Sequence, residues 1–180
     1  INFTPGFGAG IHLRKSLDYV FSVRLDAMYG NLKGEDDGNI RSFKTDWLSA
    51  AVHGIVSLNN LKFSPRERKT NLYVFGGFGV SSFSGKVYKQ EIPEDIAENT
   101  QIHFEGGVGI AFKINDKINF GLEHKLLLLT GENADLVDGI PTALVNDGRF
   151  TFRDVQNYTS VRLNFNLGKS SEVTAPLYWL

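Results

Sequence analysis

Residues 117–133 read KINFGLEHKLLLLTGEN, four consecutive leucines placed just after a glutamate, a histidine and a lysine, and the period of this stretch decides the fold. As a helix it fails, because consecutive Glu123, His124 and Lys125 would sweep around most of the circumference and leave no clean apolar stripe. With period two it sorts: Ile118, Phe120, Leu122, His124, Leu126 and Leu128 share one face, while Asn119, Gly121, Glu123 and Lys125 share the other. The stretch reads as a strand with one apolar side, and His124 is the polar exception on that side.

The same alternation recurs along the chain. FGAGIHLR puts Phe7, Ala9, Ile11 and Leu13 opposite His12 and Arg14, and YVFSVRLDAMYG puts Tyr19, Phe21, Val23, Leu25, Ala27 and Tyr29 opposite Ser22, Arg24, Asp26 and Met28. IHFEGGVGIAFKI sets Ile102, Phe104, Val108, Ile110, Phe112 and Ile114 against His103, Glu105, Gly107, Gly109 and Lys113. YTSVRLNFNLG sets Val161, Leu163, Phe165 and Leu167 against Ser160, Arg162, Asn164 and Asn166. WLSAAVHGIVSL and LYVFGGFGVSSF alternate less sharply, with Leu48, Val52 and Val56, then Leu72, Val74 and Phe78, on the apolar faces. Seven strands result. Their connections alternate between short turns, around Lys15–Asp18, at FSPRERK and at NDK (115–117), and three longer polar segments. These are NLKGEDDGNIRSFKTD, GKVYKQEIPEDIAENTQ and GENADLVDGIPTALVNDGR.

Composition narrows the classes. The 180 residues, 42% hydrophobic and 22% charged, suit one folded domain and argue against disorder. A formal net charge of -1 offers no basic stripe to displace phosphate counterions, so nucleic-acid binding is disfavoured. The absence of cysteine rules out disulfides, thiolate metal sites and a cysteine nucleophile. No uncharged run reaches the roughly twenty apolar residues of a membrane helix. With neither an initiator methionine nor a leader at its start, the chain is expected to begin after a cleavage site or partway through a protein.

A meander with short turns at one end and long loops at the other is the pattern of an outer-membrane β-barrel. A soluble barrel alternates too, but volume separates the two. An eight-stranded barrel interior holds on the order of a dozen side chains in three-by-four layers, far fewer than these apolar faces carry, so they must look outward into lipid. Such barrels have an even number of strands and both termini in the periplasm. An eighth strand is therefore expected upstream of Ile1, with its outgoing loop ending around INFTPG. The expected fold is all-β, a transmembrane antiparallel up-and-down barrel of eight strands, the first outside this sequence. It would span residues 1–168, with 169–180 beginning a periplasmic linker.

The segments PGFGAGIHLRKSLDYVFSVRLDAMYGNLKGED, NLYVFGGFGV, GGVGIAFKI and VRLNFNLGKSSEVTAPLYWL resemble the N-terminal eight-stranded barrel of OmpA-family outer-membrane proteins of Bacteroidetes type. The resemblance covers nearly the whole chain and rests on barrel texture. It implies a plugged barrel set in outer-membrane lipid and lipopolysaccharide, with the C-terminus in the periplasm and a peptidoglycan-binding domain following, none of whose residues are present here.

The polar faces bring His12, Arg14, Arg24, Asp26, Glu105, Glu123, Lys125 and Arg162 to the expected lumen. Buried ions must be paired, so a structural salt-bridge network is expected; a gated solute path is the sharper alternative. Catalysis is not expected. The chain has no G-x-S-x-G elbow, and carboxylates in ion-pair networks need no catalytic role. The glycine clusters lack the G-x-G-x-x-G spacing of a phosphate loop, and the acidic segments GEDDGN and ENADLVDG lack the twelve-residue calcium pattern. No cofactor or metal is expected. His124, on the lipid side, marks either a headgroup-level imidazole, a bulge that flips the phase after Lys125, or a contact with a neighbouring protein. Tyr19, Tyr29, Trp47, Tyr73, Phe83 and Phe150 are expected in the interfacial aromatic girdles. The functional expectation is a non-enzymatic envelope anchor tethered to peptidoglycan. The alternatives are an accessory barrel subunit of a larger outer-membrane transport, secretion or insertion complex, and a small channel.

Overall fold

The computed structural model describes residues 2–4, 6–35, 41–61, 68–89, 92–130 and 152–166. The strands are β1 (Asn2–Thr4), β2 (Gly8–Ser16), β3 (Phe21–Glu35), β4 (Arg41–Ser57), β5 (Thr70–Lys89), β6 (Ile92–Lys113), β7 (Ile118–Thr130) and β8 (Phe152–Phe165). One 3-10 turn, Leu58–Asn60, follows β4, and no α-helix occurs among the described residues. β1 and β2 are two pieces of one edge strand: Thr4 stands opposite Lys33 and Gly8 opposite Gly30, so three intervening residues of β1–β2 face two of β3. The sheet is thus seven strands wide, antiparallel throughout, each strand beside its neighbours in sequence. It curls into an open half-barrel whose edges are β2 and β8.

The tight turns follow from local chemistry. Asp18 accepts a hydrogen bond from the Val20 amide at 2.9 Å, and Asn115 accepts from the amides of Lys117 and Ile118 at 2.9 and 2.8 Å, the Asx geometry that reverses a chain without glycine. Asn60 ties the 3-10 turn to the neighbouring turn by donating to the Tyr19 carbonyl at 2.8 Å.

The alternation read from the sequence holds, and it is turned outward. Phe104 is 45% and Phe165 62% exposed, whereas Arg24 is 2% and Glu123 1% exposed. In the leucine run, Leu126 is exposed on the outer face while Leu127 and Leu129 are fully buried inside, so the question posed by four leucines resolves into two on each side.

Three expectations need correction. The described residues of segments 31–46 and 85–101 are strand and not loop: β3 runs on to Glu35, β4 starts at Arg41, β5 runs to Lys89 and β6 starts at Ile92. Polar residues are compatible with strands, so polarity alone did not mark irregular backbone. The third segment, 131–149, lies outside the described residues, as does the expected linker 169–180. Asn2–Thr4 is also strand and not loop end. Finally, Trp47, Tyr73 and Phe83 are buried inside the curl and form no girdle; Tyr19 and Tyr29 are exposed, and Phe150 is outside the described residues. The interior is wider than glycine and serine can fill, and glycines opposite the rings make the space. A Cβ on Gly109 would lie 2.4 Å from the Tyr73 ring, and one on Gly107 would lie 2.7 Å from that of Phe75.

Candidate lumen charge cluster

The interior is layered along the strands. At the end with the short turns lies a floor of neutral polar groups. Asn164 donates to Asn119 at 2.6 Å, Asn119 to Asn166 at 3.3 Å, and Asn71 to Ser57 at 3.2 Å. His12 on β2 meets Asn164 on β8 at 2.5 Å, a side-chain contact reaching from one sheet edge to the other.

The charges sit above this floor, and, His12 aside, the structure brings six of the seven residues expected for the network into one cluster. Glu123 is the hub. One of its oxygens accepts from Arg24 at 2.6 Å and from the Tyr73 hydroxyl at 2.7 Å, while the other lies 2.7 Å from Nε of Arg162. Asp26 takes the Arg162 guanidinium as a fork, at 3.1 and 2.9 Å, and also accepts from Lys125 at 2.8 Å. Lys125 stands 3.6 Å from Glu105. The seventh residue, Arg14, belongs to the edge of this group: it donates to Ser22 at 3.1 Å and lies over the Tyr73 ring, 5.4 Å from its centroid.

Two further residues complete the cluster. His53, fully buried, hydrogen-bonds through Nε2 to Glu105, and its Nδ1 accepts from Nε of Arg24 at 3.5 Å. Nδ1 also stands 3.7 Å from the Asp26 carboxylate. Phase alone placed His53 inward, but Trp47, Ala51 and Ile55 share its face, which blurred the polar side of β4. Phe75 supplies a ring under Arg24, 4.7 Å from guanidinium to centroid, and under Lys125 at 5.6 Å, a cation–π contact strengthened where water is excluded. Beside His53, three cations (Arg24, Lys125, Arg162) meet three carboxylates (Asp26, Glu105, Glu123). The balance matters because an unmatched charge in such a site carries a desolvation penalty of several kcal/mol.

Toward the other end, apolar side chains from β4, β5 and β7 meet among buried polar residues that include Ser49, Ser81, Gln101 and His103. Trp47, Phe83, Leu127 and Leu129 form a buried cluster with Met28 and Tyr158 packed against it. Trp47 stacks on Phe83 at 6.5 Å and meets Tyr158 edge-on at 5.7 Å, and its Nε1 donates to Ser81 at 3.0 Å. Ser81 in turn contacts Nδ1 of the buried His103 at 2.9 Å. A serine–histidine pair so enclosed has no substrate access, and among the described residues no group of histidines and carboxylates is placed to hold a metal ion.

On the outer face His124 is exposed and contacts the Thr159 hydroxyl at 3.0 Å. The pairing of β7 runs unbroken from Ile118 past His124 to Leu128 on the β8 side, so the phase does not flip after Lys125. No family model, curated protein or solved structure matches this chain.

Proposed function

We propose that the protein is a membrane-spanning β-barrel of the bacterial outer membrane, an OmpA-like wall that anchors in lipid and supports envelope integrity without catalysing a reaction. The observation that carries this reading is the inverted polarity of the curl, exposed phenylalanine and leucine outside and a paired ion cluster inside. A water-soluble barrel would reverse it. Length agrees: the exposed apolar positions of β3 run from Phe21 to Tyr29 and those of β6 from Ile102 to Phe112, close to the 9–11 residues of about one membrane-crossing strand. Beyond them the outward positions become Asn31, Asp46 and Ser84, adjacent in one cross-strand row, as expected where hydrocarbon gives way to headgroups.

Closure calls for one more strand. β2 and β8 run in the same direction, because seven antiparallel strands place first and last alike, so direct pairing would be parallel. One strand inserted between them, running the opposite way, is antiparallel to both and completes an eight-stranded barrel. The His12–Asn164 contact fits a seam of that width, since two interstrand spacings come to roughly 9.6 Å. The strand is assigned to the polypeptide upstream of Ile1, and the chain beyond residue 168 leads to a periplasmic domain that binds peptidoglycan.

Membrane fractionation of cells making the full-length protein tests this reading. The expected result is outer-membrane material that resists carbonate extraction and co-sediments with cell-wall fragments; recovery in a soluble fraction would overturn it.

A second reading, an accessory subunit of a larger outer-membrane complex, is favoured by one feature of the outer face. Gly54, Gly76 and Gly106 stand in a single cross-strand row, and a Cβ on any of them would meet nothing closer than 3.5 Å. Internal packing gives no reason for these glycines, and a neighbour's backbone can approach closely there, two residues along β6 from the Val108–His124 pair. Purification in mild detergent separates the readings: a stoichiometric partner supports the subunit, and a lone barrel with cell-wall material rejects it.

A further inference from the structure

We propose that the lumen is sealed by its apolar layer and not by its ions, so that Trp47, Phe83, Leu127 and Leu129 form a dry lid independent of the charge cluster. The inference rests on the membrane reading for its setting, but its geometry is internal to the barrel. Four strands give the same order, while β6 carries the buried polar His103 and Gln101 beyond Glu105. On β7 the ions Glu123 and Lys125 are followed by Leu127 and Leu129; on β3 Asp26 is followed by Met28; on β8 Arg162 is preceded by Ser160 and Tyr158. On β4, Trp47 lies three inward positions from His53. The lid therefore occupies one level, beyond the ions on the side away from the tight turns.

Its composition suits a seal. The four central side chains are buried and mutually packed, and the Trp47 indole is fixed twice, by stacking on Phe83 and by donating to Ser81. An ion crossing such a constriction must shed its hydration shell with no ligand in exchange, which is why hydrophobic constrictions close pores by dewetting. The ion cluster lacks this property. Its members can exchange partners, as Asp26 is already shared by Arg162, Lys125 and Arg24, and removing one charge leaves polar groups that admit water. Rearranging the ions would therefore leave the passage shut while the lid stays packed.

Two measurements on the purified full-length protein test this. In planar bilayers, Glu105→Gln is expected to stay as silent as the parent, Trp47→Phe likewise, and the double variant Trp47→Ala with Leu127→Ala to raise conductance at least about tenfold. A folded double variant, shown by retained heat-modifiable gel mobility, that stays silent would overturn the proposal, as would a Glu105→Gln protein that conducts. In detergent micelles, with every tryptophan other than Trp47 replaced by phenylalanine, Trp47 fluorescence in Glu105→Gln is expected to remain blue-shifted and shielded from iodide. A red shift with iodide access would also overturn the proposal. The micelle result decides the lid even if the protein fails to enter lipid vesicles, an outcome that would count against the membrane reading alone.

Discussion

Glu123 binds two arginines and a tyrosine through two oxygens, and its loss would leave buried Arg24 and Arg162 to share Asp26 with Lys125, one carboxylate short. Breaking a buried pair from one side costs about 3–5 kcal/mol, so Glu123→Ala is expected to lower stability by that amount in a urea titration of the micelle-bound protein. Gly109 makes a second residue-scale test. A valine there would drive a methyl-bearing Cβ into the Tyr73 ring, an overpacking worth about 1–3 kcal/mol, whereas Gly76→Val, where an added Cβ meets nothing nearer than 3.9 Å, is expected to stay within about 0.5 kcal/mol of the parent. Equal losses at the two glycines would show that the inner and outer faces had been confused. At this scale the charged residues were legible in the sequence, because ions on one side of an alternating strand are conspicuous. Tyr73, Phe75, Trp47 and Phe83 were not, since an inward aromatic breaks the alternation and needs a partner glycine on another strand to make room.

At the scale of the element, β7 carries the clearest test, because adjacent leucines face opposite environments. Leu127→Ala is expected to destabilise by about 2–5 kcal/mol in any medium, as a cavity in a packed cluster. Leu126→Arg instead is expected to impair refolding into lipid vesicles, by about 2–4 kcal/mol for a charge near the bilayer midplane. The vesicle-bound fraction after refolding reads this out; unimpaired entry of Leu126→Arg would argue against a lipid-facing surface. β7 was readable because its ions and outer apolar residues keep strict phase up to Lys125. β4 was less so, with Trp47, Ala51 and Ile55 on the same side as His53. The ends of β3, β4, β5 and β6 were hidden for another reason: beyond the apolar band a strand is free to be polar on both faces, and period two vanishes from its hydropathy.

For the whole molecule, the layers stack inside one curled half-barrel: an asparagine floor, an ion cluster lying on aromatic rings, and an apolar cluster, all within a sheet whose described outer face is rich in exposed apolar side chains. Strand number and direction followed from counting alternating segments, while the depth of the lumen contents did not, because a side chain's level inside a barrel depends on register between strands remote in sequence. The chain's lack of cysteine makes its orientation directly measurable. Single cysteines placed in turn from Ile102 to Phe112 along β6, spin-labelled and reconstituted in lipid vesicles, report collision with oxygen, which concentrates in hydrocarbon, and with a water-soluble nickel chelate. The account predicts a period-two oscillation in oxygen access with maxima at positions 102, 104, 106, 108, 110 and 112 and low access to the chelate at those positions. High chelate access at Phe104 and Val108, with no oscillation in oxygen access, would contradict it.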